Sequence, residues 1–503
     1  MPSEVPDDIW RYIAGFLPVT VLLTLFSVNR TFLEIVRETR YQAISFTAYK
    51  SAKPLIKHVK YVHHPIEWDS KLVHSVRAEP WMVLPKEPKS HSWSSSTWKL
   101  LHACVSPAHA FEDGAEAQIA RRLQKQTRRI ADTIKGFTKL HTYHIDWDEG
   151  PYHPEFFSTL LDLVIPTIGR GLTSLILKVP LYHMPFLPPL ASFLPNLLHL
   201  SLTLHTGAHI PMYISQKLEG LVVFLNIVLR NLRTFSLYTT PTSAYLDLGL
   251  LFCHLGNGRY LTSFTLCIPF DGGHLPDPTP LRRFLIKHRS TLESLNLGTT
   301  RAAAHPVPVA PTAKYWIRDT LKNHPPFPAL SHLSLGLRPL RTDLSPLLRC
   351  LTGVRSQLRM LKLSERPLEY VELVRILDVL DDPPLLRVLS LRLRWLSPEI
   401  VDLMAAGLPA LTALDLNFTE VVHQEPSSDA SSIVSEDSYG LSHISELTLF
   451  CQIMSGKDYA NWHLARLAVP ESPRRQMKWL NPLERTFVGC VPALRSFAEL
   501  VIV

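Results

Sequence analysis

One pattern of apolar and polar positions recurs along most of this chain: an apolar residue, two others, then apolar-x-apolar. It reads Leu172-Thr-Ser-Leu175-Ile-Leu177, Leu197-Leu-His-Leu200-Ser-Leu202, Leu232-Arg-Thr-Phe235-Ser-Leu237, Leu261-Thr-Ser-Phe264-Thr-Leu266 and Leu292-Glu-Ser-Leu295-Asn-Leu297. It returns as Leu330-Ser-His-Leu333-Ser-Leu335, Leu358-Arg-Met-Leu361-Lys-Leu363, Leu386-Arg-Val-Leu389-Ser-Leu391, Leu411-Thr-Ala-Leu414-Asp-Leu416 and Ile444-Ser-Glu-Leu447-Thr-Leu449. Successive starts lie 25, 35, 29, 31, 38, 28, 28, 25 and 33 residues apart, too even a procession for chance in a Leu-rich chain. The alternation at the end of each phrase predicts a short strand with one buried face. Pro195, Pro328 and Pro409 introduce three of the copies as Pro-x-Leu, where proline ends a preceding helix.

Helix signals fill the gaps. Ser397-Pro398-Glu399 supplies a cap, a first-turn proline and an early acid; Ile400, Leu403 and Met404 follow, and Gly407 marks an end. Pro367 opens a segment whose Leu373, Ile376, Leu377 and Leu380 form one stripe, and Thr279-Pro280 precedes Leu281, Phe284 and Leu285 in the same way. Strand then helix, repeated at this period, resembles the leucine-rich repeats. The resemblance implies an α/β solenoid with parallel strands on the concave face and helices outside, curving unevenly because the spacing is irregular.

Weaker copies extend the array. Leu140-His-Thr-Tyr143-His-Ile145 fits the phrase, Ile56-Lys-His-Val59-Lys-Tyr61 fits loosely, and Ala43–Phe46 reads as a first half-formed strand. Leu494-Arg-Ser-Phe497 begins the phrase and fails at Glu499, as a terminal capping unit would. Residues 78–113, rich in Pro, Ser, Trp and His, read as a long loop, and 424–440 as a mobile Ser/Asp/Glu-rich insertion. Serines beside acids in that insertion are candidates for phosphorylation, or simply part of a solvated loop.

The first forty residues follow another rhythm. Val5-Pro6-Asp7-Asp8-Ile9 has the chemistry of a helix start, Ile9, Ile13, Phe16 and Leu17 recur at helical spacing, and Pro18 stops the run. A second segment carries Leu22, Leu25, Phe26 and Val28; a third begins near Asn29 with Phe32, Ile35 and Val36 on one side. Three helices this short cannot bury so many large apolar groups among themselves.

Val5-Pro6, Ile9, Ile13, Leu17-Pro18, Leu22, Leu25, Val28-Asn29-Arg30 and Phe32, in this order, resemble an F-box, with Val5 where Leu is usual and Phe32 where Trp is common. The resemblance implies that Val5, Pro6, Ile9, Ile13, Leu17, Pro18, Leu22, Leu25, Val28 and Phe32 bind a Skp-type adaptor, and through it cullin and RING subunits. A plain helical cap for the repeats is the alternative. Taken whole, the chain is similar to the F-box proteins with irregular leucine-rich repeats found widely in fungi. That implies an F-box over 1–40, divergent first repeats over 41–145 and the solenoid over 146–503. It also implies a substrate-recognition role in a ubiquitin ligase.

Composition narrows the chemistry. At 503 residues, 46% apolar and 19% charged, the chain is globular and too long for one ordinary core. Glycine is sparse (20) and proline abundant (41), which speaks against glycine-rich phosphate loops. The net charge of +8 permits acidic partners without requiring them. Six scattered cysteines form no C-x-x-C pair, so reduced thiols are expected rather than a disulfide framework. The first twenty residues lack the features of a signal peptide, and no run of about 18 apolar residues predicts a membrane span. The expected compartment is cytoplasm or nucleus.

His58, His63 and His64 lie close together, but no ligand spacing such as H-E-x-x-H accompanies them. No nucleophile elbow, P-loop or dinucleotide fingerprint occurs. No catalytic residue, metal or cofactor is therefore assigned, and the chain is expected to be a non-catalytic subunit.

In each strand phrase the residues between the leucines face the concave side. The candidate contacts for a protein substrate are His199, Ser201, Thr234, Ser236, Ser294, Asn296, His332, Ser334, Lys362, Ser390, Arg392 and Asp415, with Glu446 in the tenth copy. A predicted helix over 114–135 places Ile119, Leu123, Ile130 and Ile134 on one stripe and Arg121, Arg122, Lys125, Arg128 and Arg129 around it. Such a cluster is either the solvated side of a packed helix or a contact for nucleic acid, anionic lipid or an acidic substrate. Nucleic acid is the rival partner, in a scaffold role outside a ligase.

Overall fold

A computed structural model describes residues 5–46, 72–79, 121, 124, 125, 127–147, 154–206, 214–304, 313–322, 325–341, 343–380, 385–424, 439–470 and 480–500. The chain divides into two compact units, Met1–Arg233 and Thr234–Val503.

The first unit opens with helices α1 (Asp7–Ala14), α2 (Val19–Leu22) and α3 (Arg30–Tyr41). Strands β1 (Ala43–Phe46), β2 (Ser75–Ala78), β3 (Thr142–Asp146), β4 (Ser174–Pro180) and β5 (His199–His205) follow, each pairing in parallel with the next. The register aligns Ile44, Val76, Tyr143, Leu175 and Leu200 in one ladder and Phe46, Ala78, Ile145, Leu177 and Leu202 in a second. Both ladders are buried. A one-residue slip would turn every member to the opposite face, so the hydrophobic pattern fixes the register.

In the second unit the strands are β6 (Thr234–Thr239), β7 (Ser263–Pro269), β8 (Ser294–Thr300), β9 (His332–Gly336), β10 (Met360–Leu368), β11 (Val388–Leu393), β12 (Trp395–Leu396), β13 (Ala413–Asn417), β14 (Glu420–Val421), β15 (Arg466–Pro470) and β16 (Ser496–Leu500). From β6 the sheet runs in chain order to β11, then β13, β15 and β16, while β12 and β14 form a separate parallel pair. One unbroken ladder passes through Phe235, Phe264, Leu295, Leu333, Leu361, Leu389, Leu414, Leu467 and Phe497. Parallel neighbours need crossovers, and helices supply them. Leu248–His254, Thr279–His288, Trp316–Leu321, Ser345–Val354, Tyr370–Val379, Pro398–Gly407, Tyr439–Ser455 and Leu480–Cys490 stack on one another in chain order. The first leucine of each predicted phrase from Leu172 to Leu411 is buried. The strand–helix arrangement expected from the leucine phrases is thus present, in a leucine-rich-repeat-like form.

Two expectations need correction. The tenth phrase, Ile444–Leu449, is not a strand: it lies in the helix Tyr439–Ser455. Apolar spacing continues beyond it, and the helix buries Phe450 and Met454 while Leu449 and Ile453 stay 39% exposed. The strand of that repeat is β15, carried by Leu464-Ala-Arg-Leu467-Ala-Val469, which fits the same phrase. Pro367 belongs to β10, and the helix after it starts at Tyr370, where the Glu372 carboxylate accepts from the Glu369 N–H at 3.1 Å. The strand between β1 and β3 is β2, from Val73-His-Ser-Val76-Arg-Ala78; the loose copy at Ile56–Tyr61 lies outside the described residues. So do 80–113 and 425–438, most of the predicted loop and insertion.

Other local expectations match. Ser397 caps Pro398–Gly407 by accepting from the Ile400 N–H, and Leu281, Phe284 and Leu285 are buried in Thr279–His288. Residues 127–135 are helical, with Ile130 and Ile134 buried; Ile119 and Leu123 lie outside the described residues.

Candidate protein-docking surfaces

Two kinds of surface stand out: an apolar one on the opening helices of the first unit, and the strand face of each unit. In the first, α1, α2 and α3 enclose a small core of Ala14, Leu22, Phe32, Ile35 and Val36, with Trp10, Leu17 and Leu25 packed against it. Pro6 and Pro18 precede α1 and α2, and the Asn29 side chain caps α3 by accepting from the Phe32 N–H at 2.8 Å. Several ties hold α1 to α3. The Trp10 and Phe32 rings lie 5.5 Å apart, Thr31 Oγ1 donates to the Asp7 carboxylate, and Arg11 pairs with Glu38 at 3.0 Å.

The other flank of these helices is apolar and uncovered. Phe16 is 70% exposed and Tyr12 68%, their rings meeting edge to face at 4.9 Å. Val5, Ile9, Ile13, Val19, Val21, Phe26 and Val28 are exposed on the same opening segment. Covering a side chain that is already half buried gains about 1 kcal/mol. A cluster of this kind marks a partner surface more often than isolated exposed residues do.

Of the predicted adaptor contacts, Val5, Pro6, Ile9, Ile13, Pro18 and Val28 lie exposed, and Leu17 and Leu25 are half-buried. Leu22 and Phe32 are corrected: at 6% and 3% exposure they hold the three helices together rather than offering contact atoms. Tyr12, Phe16, Val19 and Phe26 offer more surface than either. Phe16 was visible in the sequence only as a member of the helical stripe.

The second surface is the strand face opposite the leucine ladder. Each unit has its own such face, and the predicted contact positions of that unit lie on it. His199 and Lys362 are exposed, and Ser201, Thr234, Ser236, Ser294, Asn296, His332, Ser334, Ser390, Arg392 and Asp415 are half-buried. Glu446 is corrected along with its phrase. It belongs to a helix, where its carboxylate meets His423 at 2.6 Å. In the first unit the face carries a charged chain, with Arg77 on Glu79 at 2.6 Å and on Asp146 at 3.2 Å, and Lys178 on Asp146 at 3.0 Å. In the second unit Glu365, at φ 77°, folds its carboxylate over Gly336 to accept from the Thr299 N–H and hydroxyl. A Cβ at position 336 would meet that carboxylate, which would have to shift to make room.

No protein-family model matches this chain, and no curated protein matches it. Among solved structures it is similar to the Rad7 and Elc1 complex in yeast, at 15% identity over 64% of this chain and 87% of that one, with a TM-score of 0.27. It is also similar to the TLR13–ssRNA13 complex, at 16% identity over 58% of this chain and 41% of that one, with a TM-score of 0.25. Neither likeness bears on function at this level.

The titratable groups that depart from their usual range are mostly structural. Burial holds His183 down to about 3 and lowers His274 and His288. Burial raises Cys267 to about 11 and Cys350 to about 12, which leaves both as unreactive thiols. Burial also raises the Glu365 carboxyl, against the pull of its Thr299 hydrogen bonds. Among the described residues no group of three or more His, Cys, Asp or Glu is placed to hold a metal ion, and no helix is long and apolar enough to cross a membrane.

Proposed function

We propose that this chain is the substrate-recognition subunit of a Skp–cullin–F-box ubiquitin ligase, active in cytoplasm or nucleus. The observation that supports the reading is the uncovered apolar side chains of α1–α3, which include Val5, Ile9, Ile13 and Val28 of the residues resembling an F-box. A Skp-type adaptor covers that flank and brings the cullin and RING subunits with it. The strand face holds a protein target. The mechanism is proximity: the target lysine is kept at high effective concentration near a ubiquitin-loaded enzyme, whose own cysteine does the chemistry. This chain contributes binding and no catalytic group.

The test is co-expression with a Skp-type adaptor. The intact chain should co-elute with the adaptor, and Ile9→Asp with Phe16→Asp should weaken capture on the order of 100-fold while leaving the thermal unfolding midpoint in place. No capture by the intact chain, or full capture by the double variant, overturns the reading. A second reading, a scaffold that meets nucleic acid, rests on the exposed Arg121, Arg128 and Arg129. Salt-sensitive nucleic-acid binding lost on neutralising them would favour it.

A further inference from the structure

The strand face of the second unit changes character along its length. On β6 to β8 its positions are neutral, Thr234, Ser236, Ser263, Thr265, Ser294 and Asn296. From β10 onward six cations occupy the face and the strand-entry edge beside it: Arg359, Lys362, Arg387, Arg392, Arg466 and Arg495. The register sets Arg359 beside Arg387 at the edge, and Lys362, Ser390 and Asp415 in one row across β10, β11 and β13.

Little negative charge answers them. Asp415 is the acid among the face positions of the described residues from β10 to β16, and it is engaged by Arg466 at 3.1 Å. Glu365 turns its carboxylate away onto Thr299. Among the described residues no carboxylate pairs with Arg359, Lys362, Arg387, Arg392 or Arg495. Two of these guanidinium groups are held by the fold itself. Arg387 donates to the Ala410 carbonyl at 2.7 Å and Arg392 to the Glu365 carbonyl at 3.2 Å, and each keeps further N–H groups for a ligand. Anchoring of this kind lowers the entropy a ligand must remove.

We infer that the β10–β16 face grips an acidic, extended segment of a protein partner. Strands about 4.8 Å apart make β10 to β16 roughly 19 Å across, the reach of about six residues of extended chain. Met360 and Val388 sit among the cations and suit the aliphatic part of a peptide. The face positions from β10 to β16 carry no aromatic ring among the described residues, so the stacking platform that single-stranded nucleic acid uses is missing. This inference deepens the receptor reading and rests on it: the segment would belong to the target.

The test measures fluorescence anisotropy of two labelled peptides with the full chain, one with six consecutive glutamates and one with phosphoserines at alternate positions. The first reports carboxylate recognition and the second phosphate recognition. Both should bind, with affinity falling as salt rises. Lys362→Glu with Arg392→Glu should cost about tenfold or more in affinity. Lys362→Gln with Arg392→Gln should cost less. Arg283→Glu with Arg289→Glu makes the same change in net charge on the helix side and should leave binding as it was. Equal loss in the face and helix-side variants would reduce the effect to net charge and overturn the inference. So would failure of both peptides to bind at millimolar concentration, or tighter binding of a hexauridine oligonucleotide that is lost in the same face variant. Adaptor capture, measured on the same proteins, should be unchanged by the face variants. Its loss in the intact chain would instead strike the receptor reading.

Discussion

The apolar side chains of α1–α3 and those of the strand ladder are the same kinds of residue with opposite fates. Leu361 has Leu333 and Leu389 beside it in register and is wholly buried. Phe16 has Tyr12 on one side and solvent on the other. Burial in the repeats is supplied by the next repeat, so each strand covers its neighbour. The opening helices have a core of five buried apolar residues, and among the described residues no second core cluster takes in the exposed side chains. Apolar content alone does not tell core from interface; what decides is whether the chain provides a second wall.

The sharpest way to break this contrast is truncation on both sides of it. Leu361→Ala should cost about 2–5 kcal/mol in denaturant unfolding, because transfer and cavity terms add. Phe16→Ser should move the same measurement by less than about 0.5 kcal/mol. Comparable losses would mean that the flank is structural after all.

Acid should sharpen the contrast next, because it acts within the repeats. His288 Nε2 accepts from the Gly258 N–H at 2.8 Å and so is bare, leaving Nδ1 to donate to the Phe284 carbonyl at 2.8 Å. His274 bridges Thr239 Oγ1 at 2.8 Å and the Ser243 carbonyl at 2.9 Å. Burial lowers both pKa values in the folded state. As pH falls through the ordinary histidine value of about 6.5, the unfolded chain takes up protons first, so stability falls with acidification. The raised Glu365 carboxyl works in the opposite direction. The unfolding midpoint of the intact chain should therefore drop between pH 7 and pH 5, and His288→Gln should flatten that slope. A slope that is flat in the intact chain would refute the account.

The smallest effect concerns one repeat. Ser397→Ala removes the cap that accepts from the Ile400 N–H and should cost about 1 kcal/mol by the same unfolding assay, with adaptor capture untouched. A loss several times larger would mean that Ser397, itself fully buried, does more than cap.

Much of the strand order was legible because the phrase states both the period and the buried face. Its failures have a common cause. Apolar residues at i, i+3 and i+5 fit a strand entry and also part of a helical stripe, and Ile444–Leu449 shows the second case. What arbitrates is the continuation: Phe450 and Met454 prolong the helical spacing, whereas Val469 is followed by Pro470. Val76 and Ala78 escaped notice because a small residue stands where a leucine was sought. In the opening helices the set of apolar residues was legible but their division was not. Leu22 turns inward and Val21 outward because of how α2 meets α3, and chain periodicity over four residues does not contain that information.

The unbroken ladder has a consequence for length. Phrase starts lie anywhere from 25 to 38 residues apart, yet Leu295, Leu333, Leu361, Leu389 and Leu414 still meet rung to rung. All the variation is taken up in the outward arcs, where closing a 38-residue excursion instead of a 25-residue one costs only about 0.4 kcal/mol. Residues can thus be gained or shed on the helical side almost without penalty, while a single insertion inside a rung would invert everything after it.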